Sequence, residues 1–165
     1  MGSEKGAVMT YKRILVPVDG SPTSNNGLDE AARLARGSGS KLLLLHVIDD
    51  TVAFSSPDGA GVNLVLDTLR ASGKSALAEA AEYARRAKLQ AETLLVEKAT
   101  GRIDEAIVEQ AKRWRADLIV MGTHGRRGVN RLLLGSNAEL VVRNSTIPVL
   151  LIPGEGRAGA RRTRR

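Results

Sequence analysis

Residues 122–136, GTHGRRGVNRLLLGS, place four glycines, three arginines and three consecutive leucines in one connection. Glycine leaves a backbone too free for a strand or helix, so a bound ligand is one candidate for what fixes the shape. The chemistry that suits such a stretch is phosphate binding. Gly122, Gly125, Gly128 and Gly135 let the main chain approach closely and turn its N–H groups toward phosphate oxygens. Gly135-Ser136 then opens a helix, whose free N–H groups and dipole favour an anion. From Gly122 to Ala138 there is no Asp or Glu, while Arg126, Arg127 and Arg131 are present. A plainer reading stays open on these residues alone: the glycines fit a tight loop and the arginines face water. Leu132, Leu133 and Leu134 read as core packing rather than as ligand contacts.

Other chemistry is sparsely supported. His46 and His124 lack spaced carboxylate partners, so a metal centre is disfavoured and His46 reads as structural. Gly73-Lys74-Ser75 matches the end of a P-loop, but the first glycine of that motif would fall on Thr68, and no strand precedes it. GxGxxG is absent after the first strand, where Asp19-Gly20-Ser21-Pro22 stands, which disfavours dinucleotide oxidoreductase chemistry.

The elements that must position these residues follow from patterning. RILVPV, residues 13–18, reads as a strand that ends at Asp19-Gly20, and Ser21-Pro22 offers a helix cap with proline in the first turn. Leu28, Ala31, Ala32 and Ala35 share one helical face that Gly37-Ser38-Gly39 stops. Leu42 to Ile48, interrupted only by His46, is a strand covered on both faces, as in a parallel sheet. Residues 49–62 read as a loop. A long helix is expected over residues 63–89 despite Gly73, and residues 92–99 are a third strand. Ile103, Ile107, Ala111 and Trp114 lie on one helical stripe, and Asp117 introduces the strand LIVM, which runs into the glycine loop. Ser136 is expected to cap a short helix over residues 137–143, before a fifth strand, IPVLLIP. Five strands alternating with four helices argue for an open, doubly wound α/β sheet, because parallel strands need right-handed crossovers. In such sheets ligands bind beyond the carboxyl ends of the strands. Pro17-Val18-Asp19, His46-Val47-Ile48-Asp49 and Met121-Gly122 all fall at those ends.

The totals set outer limits. At 165 residues the chain fits one domain, with 42% hydrophobic and 26% charged residues. It has no cysteine, which excludes disulfides and thiolate metal sites and makes the cytosol the default compartment. No membrane span or signal peptide is evident, and Gly6 breaks the myristoylation pattern that MGSEKG begins. Of the net charge of +7, most sits in residues 154–165, GEGRAGARRTRR, with five arginines against one glutamate. That end reads as a disordered tail aiding solubility, and residues 1–10 as a flexible extension. One Trp, two Tyr and one Phe cannot furnish stacking platforms, so nucleic acid is an unlikely partner except through the tail.

Gly122, two residues, Gly125, nine residues, Gly135 and then Ser136 form a spacing that resembles the nucleotide motif of the ATP-binding universal stress proteins. VPVDGS, LLLLHVID and STIPVLLIP resemble the same family, so the likeness covers about residues 11–153. The resemblance implies strand order 3-2-1-4-5 and a regulatory protein of the stress response that holds ATP. Asp19 would lie beside the nucleotide, accepting from ribose hydroxyls or helping to hold a divalent ion, magnesium or manganese, with the phosphates; the alternative is that it caps a turn before Gly20. Val47 would offer its backbone to the adenine edge. Met121 would pack on base or sugar, with Pro17 and Val18 nearby on the floor. Gly122, Gly125, Gly135, Ser136 and Asn137 would face ribose and phosphates. Arg126 and Arg127 lie outside the motif, and a phosphate role for them is inferred from charge, while His124 is the one evident base near the loop. Slow ATP hydrolysis or phosphotransfer, and an interaction module of the same fold without nucleotide, are the competing functions. IPVLLIP would be an apolar edge strand, which pairing with its copy in a homodimer would cover.

Overall fold

The computed structural model describes residues 10–51, 61–98, 102–123 and 134–154. Their nine elements alternate as expected: β1 (Arg13–Pro17), α1 (Pro22–Ala35), β2 (Lys41–Asp49), α2 (Val62–Arg86), β3 (Gln90–Lys98), α3 (Ile103–Arg113), β4 (Leu118–Gly122), α4 (Ser136–Asn144) and β5 (Val149–Ile152). The strands form one sheet of order β3-β2-β1-β4-β5, parallel throughout. Successive strands are added to one side of β1 as β2 and β3 and to the other side as β4 and β5, which puts the topological switch between β1 and β4, the place where such sheets open a crevice.

Alternation along β2 explains the layers. Leu42 and Leu44 face a core shared with Leu28, Ala31 and Ala35 of α1 and with Leu77 and Ala80 of α2. Leu43 and Leu45 face a second core, with Ile107 and Ala111 of α3 and Ala138 and Val141 of α4. Both faces of the strand are therefore apolar, as parallel sheets require. Asp117 fastens the sheet at its other end, where its carboxylate accepts the N–H groups of Lys12 at 2.7 Å and Arg13 at 3.0 Å. Arg13 also stacks over the Trp114 ring, its Cζ 4.1 Å from the centroid.

Ser21 caps α1, its side chain accepting the Ser24 N–H at 3.1 Å, with Pro22 in the first turn. α4 departs from expectation. Its N-cap is Gly135, extended at φ −63° and ψ 144° and without a side chain to cap the helix, and Ser136 is already the first helical residue. Gly73 in α2 has a packing reason: a Cβ there would lie 2.7 Å from His46 Cδ2 and 2.8 Å from Leu95 Cδ1. β5 is shorter than the apolar run around it. Leu134 is 40% exposed and does not join a core, while Leu132 and Leu133 lie outside the described residues.

α2 is bound to the outer strand by an ion pair. Arg70 meets Glu97 of β3 with two parallel bonds, Nε–Oε1 and Nη2–Oε2, both 2.8 Å, and also reaches Asp67 at 3.1 Å. The guanidinium holds the Glu97 carboxyl below its ordinary range, and the two carboxylates raise Arg70.

Candidate functional site

A cleft of about 460 Å³ opens beyond the carboxyl ends of β1, β2 and β4, within the usual size of small-ligand sites. Pro17, Val18 and Asp19 from β1 and its turn line it. Val47 at the end of β2 and Met121 and Gly122 at the end of β4 do so too, as do Gly135, Ser136 and Asn137 at the start of α4. Topology alone brings these together: parallel strands all end on the same side. His124, Gly125, Arg126 and Arg127 lie outside the described residues.

Several lining residues carry no motif. Ser24, Leu69, Ile103, Ile107 and Thr123 belong to the wall, with Asp49 at the end of β2. Ile103 and Ile107 read as ordinary core positions because they share the α3 stripe with buried Ala111, and only the sheet geometry reveals that the top of that stripe reaches the cleft. Leu69 is comparable on α2. With Val47, Met121 and Ala138 they make an aliphatic wall suited to a flat apolar ring.

The polar side is built from backbone. By helix geometry the first N–H groups of α4 have no intrahelical partner, and the N-cap residue, Gly135, has no side chain to cap them. The N–H groups of Ser136, Asn137 and Ala138 therefore form the anion-favouring end of a helix at the cleft. Gly135 plays a different part from the one its motif position suggests, since its N–H donates to the Thr123 carbonyl at 2.9 Å. That bond joins the two ends of the glycine-rich loop, and the Thr123 N–H continues the sheet by donating to the Ile152 carbonyl at 2.9 Å.

Gly122 also has a second reason to be glycine. A Cβ on it would lie 2.7 Å from the Thr23 carbonyl oxygen, so the missing side chain lets α1 approach β4. Gly27 faces back at this contact, its own Cβ position 3.3 Å from the Gly122 nitrogen.

Asp19 is built into its turn. Its Oδ1 accepts the Ser21 N–H at 2.9 Å, and Gly20 takes φ +78°, so the turn-capping reading of this carboxylate is realised. Its place on the cleft wall leaves the ligand role compatible with the cap. His46 is 7% exposed and lies with Nδ1 2.7 Å from the Val18 carbonyl, a contact between the end of β2 and the turn after β1. Among the described residues no group of three or more His, Cys, Asp or Glu side chains could hold a metal ion. Among the described residues no helix is long and apolar enough to cross a membrane.

A doubly wound parallel sheet with its cleft at the switch of direction defines the Rossmann-like α/β class. Within that class the chain belongs to the universal stress protein family, which it matches over residues 10–153. It is 34% identical over 142 residues to universal stress protein MJ0531 of Methanocaldococcus jannaschii, an overlap covering 86% of this chain and 82% of that one. The solved structure of MJ0577 from the same organism matches with a TM-score of 0.78 at 27% identity, covering 90% of this chain and 99% of that one. A universal stress protein solved in complex with cAMP matches with a TM-score of 0.62 at 27% identity, covering 89% and 100%.

Proposed function

We propose that the cleft binds an adenine nucleotide, ATP in the first place, and that the protein is a nucleotide-responsive regulator of the stress response. One observation carries this reading: a single cleft joins an aliphatic wall to the amino end of α4, whose N-cap residue is the glycine Gly135. A base and a polyphosphate need those two environments at opposite ends of one site. The cAMP-bound relative supports an adenine ligand in this fold.

In this reading the adenine lies against Ile103, Ile107 and Met121 and takes hydrogen bonds from the Val47 backbone. Asp19 accepts from ribose hydroxyls and, with the phosphates, helps hold magnesium or manganese. The phosphates meet the N–H groups of Ser136 and Asn137, backed by Gly122, Gly125 and the charges of Arg126 and Arg127. Gly135 contributes by closing the loop. A chain without cysteine suits the cytosol, where ATP is abundant.

Ser136→Asp tests the phosphate grip. An acidic side chain in the first turn suits the helix dipole, so the fold is retained, yet it repels a polyphosphate. Titration calorimetry is expected to show ATP affinity falling at least about tenfold, or roughly 1.4 kcal/mol, with adenosine affinity little changed. Equal ATP affinities in the two proteins would refute the proposed phosphate position.

A further inference from the structure

The turn after β1 is held by side chains from two other elements. The Val18 carbonyl lies 2.7 Å from His46 Nδ1 at the end of β2. A carbonyl oxygen only accepts, so that nitrogen carries the proton. The next N–H, that of Asp19, donates to Ser24 Oγ of α1 at 3.1 Å. Both polar ends of the peptide unit joining Val18 to Asp19 therefore end on buried side chains, His46 being 7% and Ser24 5% exposed. Rotating that peptide would strand a buried donor and a buried acceptor together, which proteins avoid.

The surroundings keep both holders in place. Ser24 Oγ also lies 3.5 Å from the Pro17 carbonyl, and its own N–H is bound by Ser21 Oγ at 3.1 Å. On the other side α2 presents Gly73 to the imidazole, where a Cβ would stand 3.0 Å from Nε2. The ring fills a notch made for it. The fixed peptide plane sets where the Asp19 N–Cα bond points, and the turn, with the Ser21 N–H 2.9 Å from Oδ1, fixes the rotation of the side chain about it.

We infer that His46 and Ser24 are positioning residues: by clamping the Val18–Asp19 peptide they set the Asp19 carboxylate at the cleft wall, where it discriminates ligands that carry ribose hydroxyls. The clamp itself is independent of any ligand, whereas the discrimination rests on the nucleotide reading above. His46→Asn tests the geometry, since an asparagine amide nitrogen can take the place of imidazole Nδ1, and His46→Leu cannot donate. Ser24→Ala removes the second holder without touching β2.

Two measurements on the full chain separate the claims. The first follows hydrogen exchange of the Asp19 amide by NMR without nucleotide, relative to Val16 so that any loss of global stability cancels. His46→Leu is expected to speed it at least tenfold although His46 does not touch that N–H, and His46→Asn to restore it; an unchanged rate overturns the inference whether or not nucleotide binds. The second compares ATP with 2′,3′-dideoxy-ATP. The native protein is expected to prefer ATP, and His46→Leu, Ser24→Ala and Asp19→Ala each to bring the two ligands close to parity, without additivity when combined. A retained preference in His46→Leu and Ser24→Ala overturns the positioning role. If the native protein binds neither nucleotide, the functional reading fails and the exchange experiment alone decides the clamp.

Discussion

Gly122 shows how one atom's absence can serve packing and chemistry at once. Its backbone lines the cleft, but its missing Cβ faces α1, against the Thr23 carbonyl. Gly122→Ala is therefore expected to destabilise the fold by about 1–3 kcal/mol, the usual cost of overpacking a close contact. Urea denaturation without nucleotide measures this, and a stability equal to that of the native chain would remove the packing explanation. The glycine was legible in sequence as a position needing closeness, but the partner was not, because the clash is with backbone 99 positions earlier and no local pattern records it. Asp19 is similar. Its turn role could be read from Asp-Gly-Ser, whereas Ser24 and His46 as its holders appear only once β1, β2 and α1 are placed together. Serine is a preferred cap residue, so the sequence points to Ser136 as the cap of α4. Gly135 holds that place instead, drawn into extended geometry as its N–H meets Thr123.

At the scale of elements, α2 depends on its tie to β3. Glu97 titrates below the ordinary carboxylate range because Arg70 favours its charged form. A carboxyl with a lowered pKa in the folded chain takes up protons more readily when unfolded. Its contribution is thus complete above the unfolded value and is lost as pH falls through the lower folded one. Both side chains are partly exposed, at 38% and 42%, so salt weakens the pair as well. Exchange at Val65 and Leu66, relative to Ala80, is expected to quicken on acidification, and Glu97→Gln to show the faster rate already at neutral pH. Identical profiles for the two proteins would mean that the tie does not hold this end of α2. The strands were the most legible elements, since a run such as Leu42 to Leu45 admits burial on both faces and little else. The helices were legible as helices but not as cleft walls: periodicity marks the apolar side of α3 without saying that Ile103 lies past the end of the sheet.

The whole molecule leaves β5 on an edge. Ile119 N–H donates to the Pro148 carbonyl and Thr123 N–H to the Ile152 carbonyl, so even-numbered residues of β5 turn toward β4. The N–H and C=O groups of Val149 and Leu151 then point outward, along a strand whose four residues are all half-buried. A homodimer pairing these edges is the proposed assembly. Light scattering is expected to give a dimer for the native chain and a monomer for Leu151→Pro, which deletes an outward donor at a position where an edge strand tolerates proline. A native monomer in concentrated solution would end the proposal. Strand order was legible once the family resemblance was drawn, but the outward residues were not, because which alternate set faces β4 is a matter of register.

The bond between Thr123 and Gly135 has a consequence for redesign. Because Gly135 N–H is bonded to the Thr123 carbonyl at 2.9 Å, the scaffold on either side of positions 124 to 133 is tied together without them, and replacing those positions is expected to leave the register of the sheet unchanged. Grafting a segment of different charge there is expected to alter which anions are accepted while the melting temperature of the scaffold barely moves.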